Sequence, residues 1–264
     1  MLDLWFTLSQ HVTPTFNIFS LEIHYYGILL SLGVLAGISV STRLTDFKDE
    51  NYWWWLIIGS LIGARTYHVL DQLNYYLANP KNILGFTQGG LAIYGAFAGS
   101  AVATLAYSRI HRIRILKLFD ILSLAAPLAQ AIGRWGNFFN MEAFGPPTNL
   151  PWGIYISAVN RPPFYQAYER FHPLFLYESL LNLLLFAIIL KTHQARSNPA
   201  EGHLFSKYLI GYGLIRFFLE IYRNDTWVTG SLKVAHVLSA IIILIGIALH
   251  LHQKHKITNR KIRP

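Results

Sequence analysis

Val234-Ala235-His236-Val237-Leu238-Ser239-Ala240-Ile241-Ile242-Ile243-Leu244-Ile245-Gly246-Ile247-Ala248-Leu249-His250 contains no Asp, Glu, Lys or Arg, and it decides the fold. A helix crossing the hydrocarbon core of a bilayer needs about 17–25 predominantly apolar residues. A second uncharged run, from Ile83 to Ser108, is longer still. Outside these runs the bias persists. The 264 residues are 53% hydrophobic and only 13% charged, with a mean hydropathy of +0.34. An average soluble domain carries about 25% charged residues, so a water-exposed surface would be undersupplied here. The pattern predicts an all-α polytopic membrane protein with seven transmembrane helices, over 22–42, 53–72, 90–108, 118–138, 173–190, 206–222 and 234–252. Residues 1–264 read as a single integral membrane domain, with a small cap at 141–172 between spans four and five.

The net charge of +9 suggests nucleic acid at first sight. Its distribution favours topology instead. With the N-terminus outside, the inside segments hold Arg43, Lys48, Arg109, Arg112, Arg114, Lys117, Lys191, Arg196, Lys207, Lys254, Lys256, Arg260, Lys261 and Arg263. That is fourteen of the twenty-two Lys and Arg residues, the asymmetry of the positive-inside rule. The basic tail and the Arg109–Lys117 loop then orient the chain and meet anionic lipid. Met1–Ser20 has Asp3 but no Lys or Arg, so the positive start of a secretory signal is missing. The cap carries Pro146, Pro147, Pro151, Pro162 and Pro163, which mark irregular backbone. Trp53, Trp54 and Trp55 fit an interfacial aromatic belt. Gly59 and Gly63 have the spacing of a close helix contact.

Polar side chains inside spans are costly, at about 2.5–3.5 kcal/mol for a central charge, so each needs a partner or a task. Three places concentrate them. Gly133-Arg134-Trp135-Gly136-Asn137 with Asn140, Glu142 and Gly145 closes span four. Arg134 and Asn137 share a helical face, and an arginine fork beside amides suits a phosphate. An Arg134–Glu142 ion pair locking the cap explains the same residues equally well. In span six, Tyr212, Arg216, Glu220 and Arg223 form one stripe, facing the bundle interior or a wet cavity. The competing reading is an Arg216–Glu220 pair that holds helices together. The third place is Gln88-Gly89-Gly90-Leu91-Ala92-Ile93-Tyr94 before span three, where glycines expose backbone N–H groups to an anion. Tyr94 on its own reads as a packed aromatic.

Further polar positions are Arg65 and His68, Asp120, and Glu178 with Asn182. The last two, four apart, read as helix glue. Tyr26, within His24-Tyr25-Tyr26-Gly27 at the outer end of span one, is placed to line the same site. The eleven histidines show no ligand spacing, so no metal is expected. There is no cysteine, which excludes disulfides and a cysteine nucleophile of the chain's own.

Taken together, these segments resemble the prolipoprotein diacylglyceryl transferase family. The stretch 133–145 matches that family's signature, Gly-Arg-x-Gly-Asn-Phe-x-Asn-x-Glu-x-x-Gly, at every fixed position. His24-Tyr25-Tyr26-Gly27, Gly63-Ala64-Arg65, Gly89-Gly90-Leu91, His172-Pro173 with Tyr177-Glu178, and Gly211-Tyr212-Gly213 with Arg216, Glu220 and Arg223 follow in the family's order.

The resemblance implies a multi-pass protein of the bacterial cytoplasmic (inner) membrane, with seven spans, N-terminus outside, C-terminus cytoplasmic and an extracytoplasmic head. It implies transfer of the diacylglyceryl group of phosphatidylglycerol to the lipobox cysteine thiol in the signal peptide of a prolipoprotein. A thioether forms and glycerol phosphate leaves, in the first step of lipoprotein maturation, without a cofactor. By resemblance the catalytic residues are Arg134, Arg216 and Tyr94. The substrate-binding set is Arg134, Asn137, Asn140, Glu142, Gly145, Tyr26, Tyr212, Glu220 and Arg223. Many members carry histidine at the position of Tyr94, so the proton acceptor is an open assignment. A lipid or anion transporter using the same arginines is the rival reading, but it calls for a repeated pattern of broken helices, and no internal repeat is present in the sequence. A structural membrane subunit explains the arginines worst.

Overall fold

In chain order the computed structural model holds α1 (Leu4–Gln10), the hairpin β1 (Thr15–Ile18) and β2 (Leu21–His24), α2 (Tyr25–Leu44), α3 (Asn51–Asp71) and α4 (Leu73–Ala78). There follow α5 (Ile93–Ile110), α6 (Ile115–Phe139), β3 (Ile154–Tyr155), β4 (Arg170–Phe171), α7 (Leu174–Gln194), α8 (His203–Leu219), β5 (Val228–Thr229), β6 (Leu232–Lys233) and α9 (Val234–Ile262). The structure describes residues 4–85, 89–195, 200–223, 228–229 and 232–262, with side chains as far as His255. Gln88, Arg196 and Arg263 of the sequence reading lie outside the described residues, as do the side chains of Lys256, Arg260 and Lys261.

Among the described residues four helices are long and apolar enough to cross a membrane: α2, α6, α7 and α9 over Val234–His255. Of the other long helices, α3 dilutes its apolar run with Arg65, His68 and Asp71, and α8 has only 17 residues, with Lys207 and Arg216 among them. Expected boundaries move by a few residues throughout, and the span placed at 22–42 begins only at Tyr25, after β2. The segment expected to start at 90 becomes helical only at Ile93, because Gly89 and Gly90 both take left-handed φ, +83° and +73°. The segment 206–222 is α-helical from His203 to Leu219 and tightens into a 3-10 turn over Glu220–Tyr222.

The chain forms two compact units. One comprises Met1–Leu44 and Asp120–Pro264. There α2 lies against α6 at small residues: a Cβ on Gly33 would stand 2.7 Å from the Ala129 carbonyl oxygen, and one on Gly37 2.9 Å from that of Ala125. Ser41 donates to the Ile121 carbonyl at 3.0 Å and Ser179 of α7 to that of Ala131 at 2.8 Å. Leu124, Leu185, Ile189, Leu204, Ile215 and Leu219 join α6, α7 and α8 in a buried cluster. Asp120 accepts the Gly202 and Phe205 backbone N–H groups at 2.7 and 2.8 Å. It thereby satisfies donors that the first turn of α8 leaves without helical partners.

Residues 141–172 carry no long helix. Their β3–β4 pair and two 3-10 turns close over Phe138, Phe144, Ile154, Ile156, Phe171 and Phe175. The N-terminal helix completes this segment: Ser9 Oγ accepts the Tyr155 N–H at 2.7 Å, and Arg170 covers the Phe6 ring at 4.4 Å. Neither α1 nor the β1–β2 hairpin was foreseen in the sequence.

The other unit is Thr45–Phe119. Its α3 and α5 meet at Gly59, Gly63, Gly95 and Gly99, where a Cβ on Gly99 would fall 2.9 Å from Gly63 Cα. The small-residue contact expected at Gly59 and Gly63 is present. Arg65 is buried in this unit. It donates to the carbonyls of Ile83 at 2.8 Å, Gly89 at 2.8 Å, Gly90 at 3.0 Å and Asn82. One guanidinium thus fixes the approach to α5, and Ala92 N–H adds a bond to the Ala64 carbonyl at 3.1 Å.

Candidate active site

The site is built on α6, α7 and α8. On α6, Arg134 donates to Asn137 Oδ1 at 3.2 Å, and Asn137 passes its own N–H to Glu142 Oε1 at 2.9 Å. Asn140 reaches the same oxygen at 3.2 Å. This curl exists because α6 ends at Phe139 and the chain turns back on itself. Met141 and Ala143 take φ of +50° and +52° on either side of Glu142, and Glu142 N–H returns to the Asn137 carbonyl at 3.0 Å. Left-handed backbone at two non-glycine residues costs energy, and such strain clusters at functional sites. Gly145 donates to the His172 carbonyl at 2.9 Å, and a Cβ there would press on His172 Cβ at 2.9 Å. Tyr26, in the first turn of α2, packs on Gly136 and lies within electrostatic reach of Glu142 and Arg134.

The Arg134–Glu142 ion pair, one of the two readings of these residues, is not found among the described contacts, since Asn137 stands between the two. Arg134 Nη2 instead meets Glu178 Oε1 on α7 at 2.7 Å. Arg216 on α8 donates Nη2 to Glu220 Oε2 at 2.8 Å, and its Nη1 lies 3.6 Å from Glu178 Oε2. Both arginines therefore converge on one carboxylate from different helices. Side-chain exposure divides the cluster by sign: Glu178 and Glu220 keep 5% and 2%, Arg134 and Arg216 keep 23% and 18%. The carboxylates are shut in, while each arginine side chain stays partly exposed. Among the described residues, Arg216 Nη1 is buried and makes no hydrogen bond.

Tyr212 lies within electrostatic reach of Glu178, Arg134 and Arg216, and Tyr208 stacks on it at 5.7 Å with planes 9° apart. Gln130, one turn before Arg134, donates to the Tyr208 hydroxyl at 2.9 Å. Lys233 draws the end of α8 in by donating to the carbonyls of Glu220 at 2.7 Å and Arg223 at 3.0 Å. One unit thus gathers Tyr26, Arg134, Asn137, Asn140, Glu142, Gly145, Tyr212, Arg216 and Glu220, with Arg223 held through its backbone. Tyr94 belongs to the other unit. It is the second residue of α5, 60% exposed, with its ring 6.3 Å from that of Tyr67.

Comparison with known proteins adds an independent line. The family model described as prolipoprotein diacylglyceryl transferase matches residues 14–252. The chain belongs to the prolipoprotein diacylglyceryl transferase family. Among its relatives are proteins named phosphatidylglycerol–prolipoprotein diacylglyceryl transferase. That of Trichormus variabilis is 40% identical, covering 94% of this chain and 91% of the relative. That of Synechocystis sp. is 40% identical over 96% and 95%, and that of Synechococcus elongatus 41% over 86% and 82%. The region that matches the diacylglyceryl transferase family holds the arginine cluster, the 141–172 segment and Tyr94 alike.

Glu178 is the residue of this cluster that sequence reading undervalued. Read as helix glue with Asn182, it does join helices, as the carboxylate shared by an arginine of α6 and one of α8, while Asn182 donates to its backbone carbonyl at 2.8 Å. A buried charge on α7 with no opposite charge on its own helix face was the available signal, since such a charge requires a partner elsewhere.

Proposed function

We propose that this chain transfers the diacylglyceryl group of phosphatidylglycerol to the cysteine thiol of a prolipoprotein lipobox. The observation that carries the reading is the convergence of Arg134 and Arg216, each a partly exposed side chain, at a point reached by three helices. In the reaction the thiolate sulfur forms a bond to the terminal glyceryl carbon as that carbon's bond to the phosphate oxygen breaks. Glycerol phosphate leaves with the bonding electrons, and the thiol proton passes to an acceptor. Negative charge grows on the departing phosphate, so the strongest help comes from donors already aimed at it in a site poor in water. Planar guanidinium forks meet that need better than ammonium groups. Asn137, Asn140 and Glu142 hold Arg134 and the headgroup in register, with Tyr26 and Tyr212 as hydroxyl-bearing walls. Tyr94 serves the headgroup or the thiol from the start of α5, and Arg223 supports the outer rim.

In this reading all seven long helices cross the bacterial cytoplasmic membrane, α3, α5 and α8 among them, shielded by their neighbours. The whole chain is one integral membrane domain with its N-terminus outside, its C-terminus cytoplasmic and residues 141–172 as an extracytoplasmic cap. The Lys and Arg asymmetry of the loops supports the orientation. Mixing the purified protein with acyl-labelled phosphatidylglycerol and a lipobox peptide tests the function. A transferase moves label onto the peptide cysteine and releases glycerol phosphate. A lipid transporter leaves the peptide unmodified.

A further inference from the structure

We propose that Glu178 is a positioning residue: a buried, shared counter-ion that holds Arg134 and Arg216 as one pair facing the phosphate of the lipid. This rests on the reading above and adds to it how the pair is assembled. The guanidiniums come from different helices, α6 and α8, and the Glu178 carboxylate meets them from α7 at 2.7 and 3.6 Å. Two like charges drawn together in surroundings of low polarity repel strongly, so a shared anion is what allows both to point at one place. Glu178 is enclosed where the arginines are open. An incoming anion therefore meets the cations and not the carboxylate behind them.

The geometry is looser than a structural lock requires. A buried pair that serves stability saturates its donors and acceptors. Here Arg216 Nη1 is buried and makes no hydrogen bond among the described residues. At 3.6 Å it is held to Glu178 Oε2 by charge alone, while Glu220 retains Nη2 at 2.8 Å. Glu178 acts through the arginines and touches no reacting atom.

The charge argument predicts a split that a packing role does not. In Glu178→Gln the pair loses its common anchor, and kcat falls about 10- to 100-fold, the scale of a misplaced catalytic contact. The site also becomes more positive by one charge, so inhibition by inorganic phosphate or glycerol phosphate strengthens about 3- to 10-fold. Glu178→Asp keeps the charge but shortens the reach by one methylene. Its kcat falls while phosphate inhibition stays parental.

The experiment uses full-length protein in phosphatidylcholine nanodiscs, with phosphatidylglycerol included for the lipidation assays. Lipidation kinetics, phosphate inhibition and the stabilisation of the melting transition by phosphate are measured on parent, Gln and Asp forms. Opposite movement of kcat and phosphate affinity in the Gln form supports the proposal. Parental kinetics per folded molecule in the Gln form would overturn it, leaving Glu178 structural. A dead Gln form beside an active Asp form with a displaced acid limb in its pH–rate profile would overturn it too, making Glu178 the proton acceptor. If the Gln form does not fold, parental kcat in the Asp form overturns the proposal and a fall at unchanged phosphate inhibition supports it. If the parent itself lipidates no peptide, the function reading fails, and phosphate stabilisation of the melt still tests the counter-ion role.

Discussion

The Arg134 guanidinium on α6 meets the Glu178 carboxylate on α7 at 2.7 Å, and Asn137 stands between Arg134 and Glu142. The signature segment therefore divides its labour. Its arginine is committed across helices to the bundle interior. Its glutamate is committed locally, gathering two amides at the curl that ends α6.

Arg134→Ala and Arg216→Ala should each remove transfer by at least about 100-fold, the scale of losing one preorganised donor to a developing oxyanion. Lysine should restore little at either position, because it cannot offer a planar fork. Initial rates of peptide lipidation, normalised to folded protein by gel filtration, provide the check. Near-parental rates in both alanine forms would make the arginines structural.

Glu142 and Glu220 should respond differently to amide replacement. Glu142 accepts only from Asn137 and Asn140 in the described contacts, so Glu142→Gln is expected to cost about 10-fold or less, the loss of one charge-assisted hydrogen bond. Glu220 is shut in and holds Arg216 Nη2 at 2.8 Å. Removing its charge strands part of a buried ion-pair system, and about 3 kcal/mol of stability is at risk. Melting curves and kcat/KM on the two variants decide this, and equal behaviour would refute the division.

Tyr94→Phe should slow transfer by roughly one to three orders of magnitude, the range of a lost positioning contact or modest proton-transfer help. Tyr94→His should recover much of the rate, since many members of the family carry imidazole there. The pH–rate profiles of the three proteins discriminate the roles. A fully active Phe form reduces Tyr94 to packing. A working His form with a new ionisation near about 6.5, beside a dead Phe form, identifies a true base.

Orientation can be read with single cysteines, because the chain has none of its own. Val159→Cys, at 90% exposure in the 141–172 segment, should react with an impermeant thiol reagent added to intact cells, and Lys254→Cys should not. The reverse pattern would invert the topology.

Burial lowers the pKa of His172, whose Nδ1 faces the Tyr177 hydroxyl at 3.1 Å while Trp152 donates to that hydroxyl at 2.8 Å. The neutral ring is the form the fold prefers. At acidic pH the unfolded segment binds the proton more readily, so the associated stability is intact above the unfolded value, about 6.5, and fades as pH falls below it. Amide protection factors over 141–172, which divide out the intrinsic slowing of exchange in acid, should fall between pH 7.5 and 5, and His172→Gln should flatten the change. An unchanged slope in the variant would remove His172 as the cause.

By itself the sequence determined the membrane class and the chemistry. Helix periodicity, long uncharged runs and the cost of placing Arg134 or Arg216 in an apolar span are local properties, and residues 133–145 carry a local signature. The helix segments emerged close to where hydrophobicity put them, although β2 delays the start of α2, and Gly89 and Gly90 that of α5. What pairs with what was not local. Arg134 has Glu142 eight residues away and Glu178 forty-four residues away, and sequence spacing favours the near one. Only the packing of α6 against α7, set by contacts such as Ser179 on the Ala131 carbonyl, brings the distant carboxylate to 2.7 Å. The same holds for Asp120 of α6, which accepts from the start of α8, and for α1 against residues 141–172, because a buried charge or an orphan N–H takes the partner that the fold delivers, at whatever separation along the chain.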